Sequence, residues 1–183
     1  MSNLDTKKKL ETIVLGGGCF WCLDAAYKLI KGVTSVEQGY SGGDLENPTD
    51  EQIYLRDTGH AEVVKLIFDP EIIKLEDILE IFWTIHDPTT LNRQGPDVGS
   101  QYRSIVFYMD EQQRRVIETC KTRAHKVWND PIVTEITRFD KFYQAADYNK
   151  NYEINRPDYC QIIINPKLKK LREKFAARIS DSD

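Results

Sequence analysis

The stretch Thr12-Ile13-Val14-Leu15-Gly16-Gly17-Gly18-Cys19-Phe20-Trp21-Cys22-Leu23 decides how this chain is read. A short apolar run enters three glycines, after which Leu23, Ala26, Tyr27 and Ile30 recur at helical spacing until Gly32 supplies a C-terminal stop. That is strand, glycine turn, helix. Working outward, Val33 to Tyr40 suits a second strand, followed by a loop marked by Gly42, Gly43, Asn47 and Pro48. Glu62 to Phe68 alternates as a half-buried strand does, and Leu75, Ile78, Leu79 and Phe82 mark an amphipathic helix ending near His86, before Pro88. Ser104 to Tyr108 reads as another strand. Asp110 with Gln113 opens a helix whose apolar face carries Val116, Ile117, Cys120, Ala124 and Val127. Ile132 to Ile136 is expected to be the last strand, and Asn165-Pro166 to start a C-terminal helix with Leu168, Leu171, Phe175 and Ile179 as its buried stripe. The order strand, helix, strand, strand, helix, strand matches a split βαβ pattern. The expected class is α/β (α+β): a two-layer α/β plait with a ferredoxin-like core, extra helices and a C-terminal extension. One domain is expected over 1–183, with a catalytic core at about 12–160 and the C-terminal helix at about 166–179.

Composition narrows the function. The chain has 183 residues, 40% of them hydrophobic and 30% charged, enough for a real core. Its formal charge is -4 and it carries no basic run, so it lacks the electrostatic footprint of a nucleic-acid binder. The opening residues are polar and no apolar run is long enough to span a bilayer, so a soluble cytoplasmic protein without a membrane partner is expected. Four cysteines, Cys19, Cys22, Cys120 and Cys160, are too few and too irregularly spaced for the disulfide framework of a small secreted domain. Any thiol used here is expected to be chemical.

Cys19 follows the glycines at the start of a helix, where the helix dipole favours a thiolate, and Cys22 lies one turn further on, within reach of a disulfide. The glycines do not form a phosphate-binding loop, since neither Lys-Ser/Thr nor GxGxxG accompanies them, and no second CxxC or paired histidines complete a metal site. Glu62 shares a strand face with Val64, Leu66 and Phe68. Two readings stand for it: a desolvated, protonated acid in a pocket, or a strand-end carboxylate that reaches water. The loop from Arg93 to Arg103 gathers polar groups in a helix-to-strand connection, with Asp97 either functional or capping a backbone. His86 falls on the apolar helix face as a core histidine or a base, Cys120 reads as packing, and Cys160 as a core thiol or a mobile partner for Cys19.

Taken together, GGGCFWC (16–22), Gly39-Tyr40-Ser41-Gly42-Gly43, Asn47-Pro48-Thr49, Asp57-Thr58-Gly59-His60-Ala61-Glu62, His86-Asp87-Pro88, Arg93-Gln94-Gly95 and Gln101-Tyr102-Arg103 closely resemble the A-type peptide methionine sulfoxide reductases. The resemblance spans about Val14 to Cys160. It implies reduction of methionine-S-sulfoxide, free or in proteins, with Cys19 attacking the sulfoxide sulfur and becoming a sulfenic acid. It further implies Glu62 as the acid on the oxygen, Tyr102 as a phenol holding that oxygen, Asp97 as an orienting carboxylate, and Phe20 and Trp21 as walls for the S-methyl group. His86 and position 50 are implied in substrate binding. No metal or organic cofactor is implied, thioredoxin is the implied reductant, and a monomer is expected.

Two departures stand out. Where the family carries tyrosine after Asn-Pro-Thr, this chain has Asp50, so either Asp50 is protonated, Tyr54 substitutes, or the oxygen is held by fewer groups. Cys22 replaces a common glycine and the glycine-rich cysteine tail is absent, making Cys22 the expected resolving thiol and Cys160 the alternative. The competing reading from the CxxC alone is a thioredoxin-like dithiol oxidoreductase using Cys19 and Cys22.

Overall fold

The structure is a computed structural model that describes residues 9–180. The polar opening segment up to residue 8, part of the expected single domain, lies outside them.

The described chain runs β1 (Glu11–Gly16), α1 (Phe20–Tyr27), β2 (Val33–Ser41), α2 (Asp50–Leu55), β3 (Ala61–Phe68), α3 (Leu75–Ile85), β4 (Arg93–Gln94) and β5 (Asp97–Val98). A 3-10 turn at Ser100–Tyr102 leads to β6 (Ile105–Tyr108), α4 (Glu111–Ala124), β7 (Glu135–Arg138) and β8 (Tyr143–Gln144). Then come α5 (Tyr152–Asn155), α6 (Pro157–Tyr159), a π turn at Cys160–Ile164 and α7 (Asn165–Phe175). Six strands form one sheet in the order β7-β6-β1-β3-β2-β8, antiparallel except where β6 meets β7. Among the described residues no helix is long and apolar enough to cross a membrane.

The alternation of β3 sorts the two faces of the sheet. Val64, Leu66 and Phe68 join Ile13 and Leu15 in the main core beneath α1, α3 and α4, while Ala61 and Val63 join Val14, Ile105 and Phe107 on the back. Each fully buried Leu, Ile or Phe contributes about 1.5–3 kcal/mol, so slipping β3 by one residue would forfeit several such terms at once. The back face is covered by Met109, Phe139 and Phe142.

Three expectations are corrected. The strand expected at Ile132 to Ile136 and taken as last begins at Glu135 and is followed by β8. Its first residues are engaged elsewhere: Val133 N–H donates to the Pro88 carbonyl at 2.8 Å, and Thr134 Oγ accepts from Trp83 Nε1 at 3.0 Å. Val127 does not belong to the α4 stripe. The helix ends at Ala124 in tight turns that leave Val127 78% exposed. Finally, the C-terminal helix starts at Asn165 as expected, continuing from the π turn at Cys160–Ile164, but it ends at Phe175 and not near 179, and a 3-10 turn at Ala176–Arg178 leaves Ile179 outside it. Pro166 has no N–H to give, and it falls where the backbone bonding changes from π to α.

Candidate active site

Cys19 is the N-cap residue of α1, set there by a backbone that only glycine adopts comfortably. Gly18 has φ of +88°, and a Cβ on it would lie 2.6 Å from the Gln94 side chain. Gly18 N–H donates to the Tyr102 carbonyl at 3.2 Å, so the glycine turn and the Tyr102 turn are joined through the backbone. Gln94 locks the same loop: Oε1 accepts from Asp87 N–H at 3.0 Å and Nε2 donates to the Asp87 carbonyl at 2.9 Å.

Glu62 comes from β3 and is fully buried. Its Oε2 accepts the otherwise orphaned N–H of Phe20, at the first turn of α1, at 3.1 Å. Its Oε1 has no hydrogen-bond partner. Burial pushes the carboxyl up to about 8, against the opposing pull of the Phe20 N–H and the nearby Tyr54 phenol. The acid therefore carries its proton at neutral pH. With Oε2 committed as an acceptor, the unpartnered Oε1 is the oxygen free to donate it.

The charge expected on Cys19 is a correction. Instead of favouring the thiolate, the site holds the thiol well above its ordinary range, first because the sulfur is buried and then because Glu62 and Cys22 lie near it. The Trp21 N–H at the helix start pulls the other way and does not prevail. Cys19 and Glu62 thus form a neutral, proton-carrying pair at rest.

Around them the predicted residues divide. Tyr102 and Asp97 arrive on the loop after α3, and the Tyr102 phenol is raised by burial and by the nearness of Glu62, Asp97 and Cys19. Asp97 Oδ2 accepts from the Tyr159 hydroxyl at 2.6 Å. Trp21 stacks on Tyr152, meets Tyr159 edge-on and donates from Nε1 to Asn149 Oδ1 at 3.3 Å. Phe20, expected beside it as a wall, is instead sealed against Tyr40 with no exposed surface, so Trp21 alone presents a partly open face.

Asp50, expected in substrate binding, is hydrogen-bonded within the protein through both carboxylate oxygens. Its Oδ1 accepts from Tyr40 OH at 2.7 Å, and its Oδ2 accepts from Asn149 Nδ2 at 2.7 Å and so braces Asn149 and, through it, Trp21. One turn along α2, the Tyr54 phenol is raised by burial and by its closeness to Glu62, Tyr102 and Cys19.

His86, also expected at the substrate, is a core residue. Nδ1 faces the Phe82 carbonyl and therefore carries the hydrogen, which leaves Nε2 to accept from Ser104 Oγ at 2.8 Å. Ser104 in turn accepts from Thr134, which accepts from Trp83. Burial drives the imidazole down to about 3, so it stays neutral, and its ring supports the backbone of Gly17 from behind.

Cys22 is buried, with Sγ 3.9 Å from the Tyr159 hydroxyl, whereas Cys160 is half-buried with Sγ 3.8 Å from the Tyr152 carbonyl. Both sulfurs border one small apolar cluster. Among the described residues no group of His, Cys, Asp or Glu could hold a metal ion. Pattern reading did not reach Asn149, and it gave no role to Tyr159 or to Arg103. Arg103 Nη1 and Nη2 donate to the Ser100 and Gly59 carbonyls, each at 2.9 Å, and pin the Tyr102 turn to the loop before β3.

The sequence model of the family described as peptide methionine sulfoxide reductase matches residues 11–179. A protein named peptide methionine sulfoxide reductase MsrA from Paenarthrobacter aurescens is 49% identical over 92% of this chain and 98% of its own length. The reduced form of Mxr1 from Saccharomyces cerevisiae superposes with a TM-score of 0.77 at 31% identity, covering 82% of this chain and 88% of that one. Mxr1 in complex with Trx2 shares the fold at a TM-score of 0.58 and 24% identity, covering 78% and 84%. With a match over nearly all the described residues and a buried acid poised beside the motif cysteine, the chain belongs to the peptide methionine sulfoxide reductase family.

Proposed function

We propose that Cys19 and Glu62 carry out the reduction of methionine-S-sulfoxide, and that the Glu62 Oε1 hydroxyl, buried and without a partner, is the group that meets the substrate oxygen. That one observation carries the reading, because an orphaned buried donor beside a nucleophilic sulfur fits a ligand that brings an acceptor. Tyr102 and Tyr54 add phenols on the same oxygen, Asp97 orients the loop through Tyr159, and Trp21 forms the wall for the S-methyl group.

As Glu62 passes its proton to the sulfoxide oxygen, the substrate sulfur becomes electrophilic and the Cys19 sulfur attacks it. The thiol proton returns to the Glu62 carboxylate. Transfer of the oxygen to Cys19 releases methionine as a thioether and leaves Cys19 as a sulfenic acid, so substrate sulfur is reduced and Cys19 oxidised by two electrons. Keeping Cys19 a thiol until the oxygen is protonated links nucleophile and acid in one event. Cys22 then resolves the sulfenic acid as a disulfide, with Cys160 the second choice; the place of Cys22 one turn from Cys19, where its N–H donates to the Cys19 carbonyl at 3.1 Å, supports that order.

An external dithiol must reopen the disulfide. Mxr1 has been crystallised in complex with Trx2, and a thioredoxin is the proposed reductant here. A reducing compartment, the cytoplasm, suits that cycle, as does action as a monomer. The strand order β6-β1-β3-β2 with α1 and α3 supports a ferredoxin-like plait as the catalytic frame.

The test is turnover of separated S and R epimers with dithiothreitol. The S epimer alone is reduced, and Cys19→Ser abolishes it; reduction of both epimers, or activity surviving in Cys19→Ser, rejects the reading.

A further inference from the structure

Gln38 is a buried polar side chain that neither the sheet nor the reaction accounts for. It lies on β2 between Val36 and Tyr40, which both pack on the main core, and it pairs in register with Val64 of the same face. Side chains alternate along a strand, so its carboxamide points to the face that α1 covers. Gln38 is 6% exposed, and neither its Oε1 nor its Nε2 has a hydrogen-bond partner among the described residues. A buried donor and acceptor are ordinarily paired, because bare they forfeit their hydration with nothing in return.

The residue lines a cavity of about 330 Å³, at the lower end of the range for small-molecule pockets, about 300–1,000 Å³. Asp24 and Lys28 from α1 form one wall, Val36 and Glu37 flank Gln38 on β2, and residues between Gln144 and Lys150 close the other side. Charge does not call for an ion there. Lys28 Nζ is 2.7 Å from Asp24 Oδ2, Lys150 Nζ is 2.7 Å from Asp147 Oδ1, and Glu37 Oε2 is 2.7 Å from Lys65 Nζ. With each charged group of the lining already matched, the Gln38 donor and acceptor are the buried groups left to satisfy.

We propose that this cavity is a binding site for a small neutral molecule bearing a primary carboxamide or ureido group. Such a group presents a carbonyl oxygen and an N–H along one edge, the complement of Nε2 and Oε1, so two hydrogen bonds close side by side. A ketone answers Nε2 alone, and a carboxylate brings a charge for which the lining holds no unmatched cation. Val36 and the buried Ala145 offer apolar surface to a short hydrocarbon stem. Cys19 is not part of the lining. Asp24, however, also accepts from Tyr152 OH at 3.0 Å, and Tyr152 stacks on Trp21, so an occupant borders the support of the substrate wall.

The experiment is an amide NMR titration of the full chain with propionamide and, separately, methylurea. Both are expected to shift the Gln38 side-chain amide and the backbone amides of residues 36–38 and 144–146 along a saturable one-site curve. Butanone and propionate, of similar size, are expected to bind about 10-fold more weakly or less, as one buried group left unpaired requires. Gln38→Met, of similar volume, is expected to abolish the saturable shifts while the rest of the spectrum is kept. Ala145→Leu fills the cavity without altering the carboxamide and is expected to abolish them too, which keeps the test open if the first variant does not fold. Absence of saturable shifts with both carbonyl amides, leaving the cavity to water only, overturns the proposal. Equal binding of butanone or propionate, or binding that survives Gln38→Met, overturns it as well.

Discussion

Glu62 shows how one residue serves chemistry at the expense of stability. Folding moves its acid from about 4.5 to about 8, so between these values the folded chain holds a proton that the unfolded chain has lost. Stability therefore falls as pH rises through that window, by about 1.4 kcal/mol per pH unit at full effect. Glu62→Gln is expected to melt above the wild type, with a gap that widens from pH 5 to pH 8 in calorimetry, while reduction of the sulfoxide drops about 10²- to 10⁴-fold. In the wild type the first step is expected to slow as pH passes about 8 and the acid ionises. Tyr54→Phe removes one hydrogen bond to the oxygen and is expected to lower kcat/KM about 10-fold. Asp50→Asn, by contrast, alters the brace on Trp21 and is expected to raise KM more than it lowers kcat, as measured with a peptide sulfoxide.

Elements differ in how openly the sequence announced them. The period-two pattern of β3 placed Glu62 on the same side as Val64, Leu66 and Phe68, because strand geometry allows no other arrangement. The glycines before α1 likewise marked the turn that presents Cys19. α2 escaped because it is short and buries only Ile53, although Thr49 and Gln52 form the reciprocal capping box that could have revealed it. The brace by Asn149 and the Tyr159 contact depend on late chain meeting α1, and no local period encodes such a meeting. His86 was read two ways because helix spacing sees only its face; the core reading follows once Ser104 and Thr134 are brought beside it. Ser104→Ala leaves the buried Nε2 without its donor and is expected to cost about 1–3 kcal/mol in urea unfolding. Since the folded imidazole resists protonation down to about 3 and the unfolded one accepts a proton near 6.5, His86 also contributes stability that is lost as pH falls below about 6.5.

Across the whole molecule, the segment from Asp147 to Ile164 acts as a cover held against α1 by Asn149 on Trp21, Tyr152 on Asp24 at 3.0 Å, and Tyr159 at Cys22. A disulfide between Cys19 and Cys22 draws the Cys22 sulfur from that last contact. Hydrogen exchange over residues 152–164 is thus expected to quicken after one turnover without reductant, while β1 and β3 remain protected.

The position of β1 in the sheet has a separate consequence for biosynthesis. Val14 is paired with Lys65 on one side and Phe107 on the other, so β1 waits for partners made much later. Such distant pairing slows folding, since loop closure precedes any gain from the contacts. While the nascent chain leaves the ribosome, the apolar run that leads to Cys19 stays without its second neighbour until β6 has emerged.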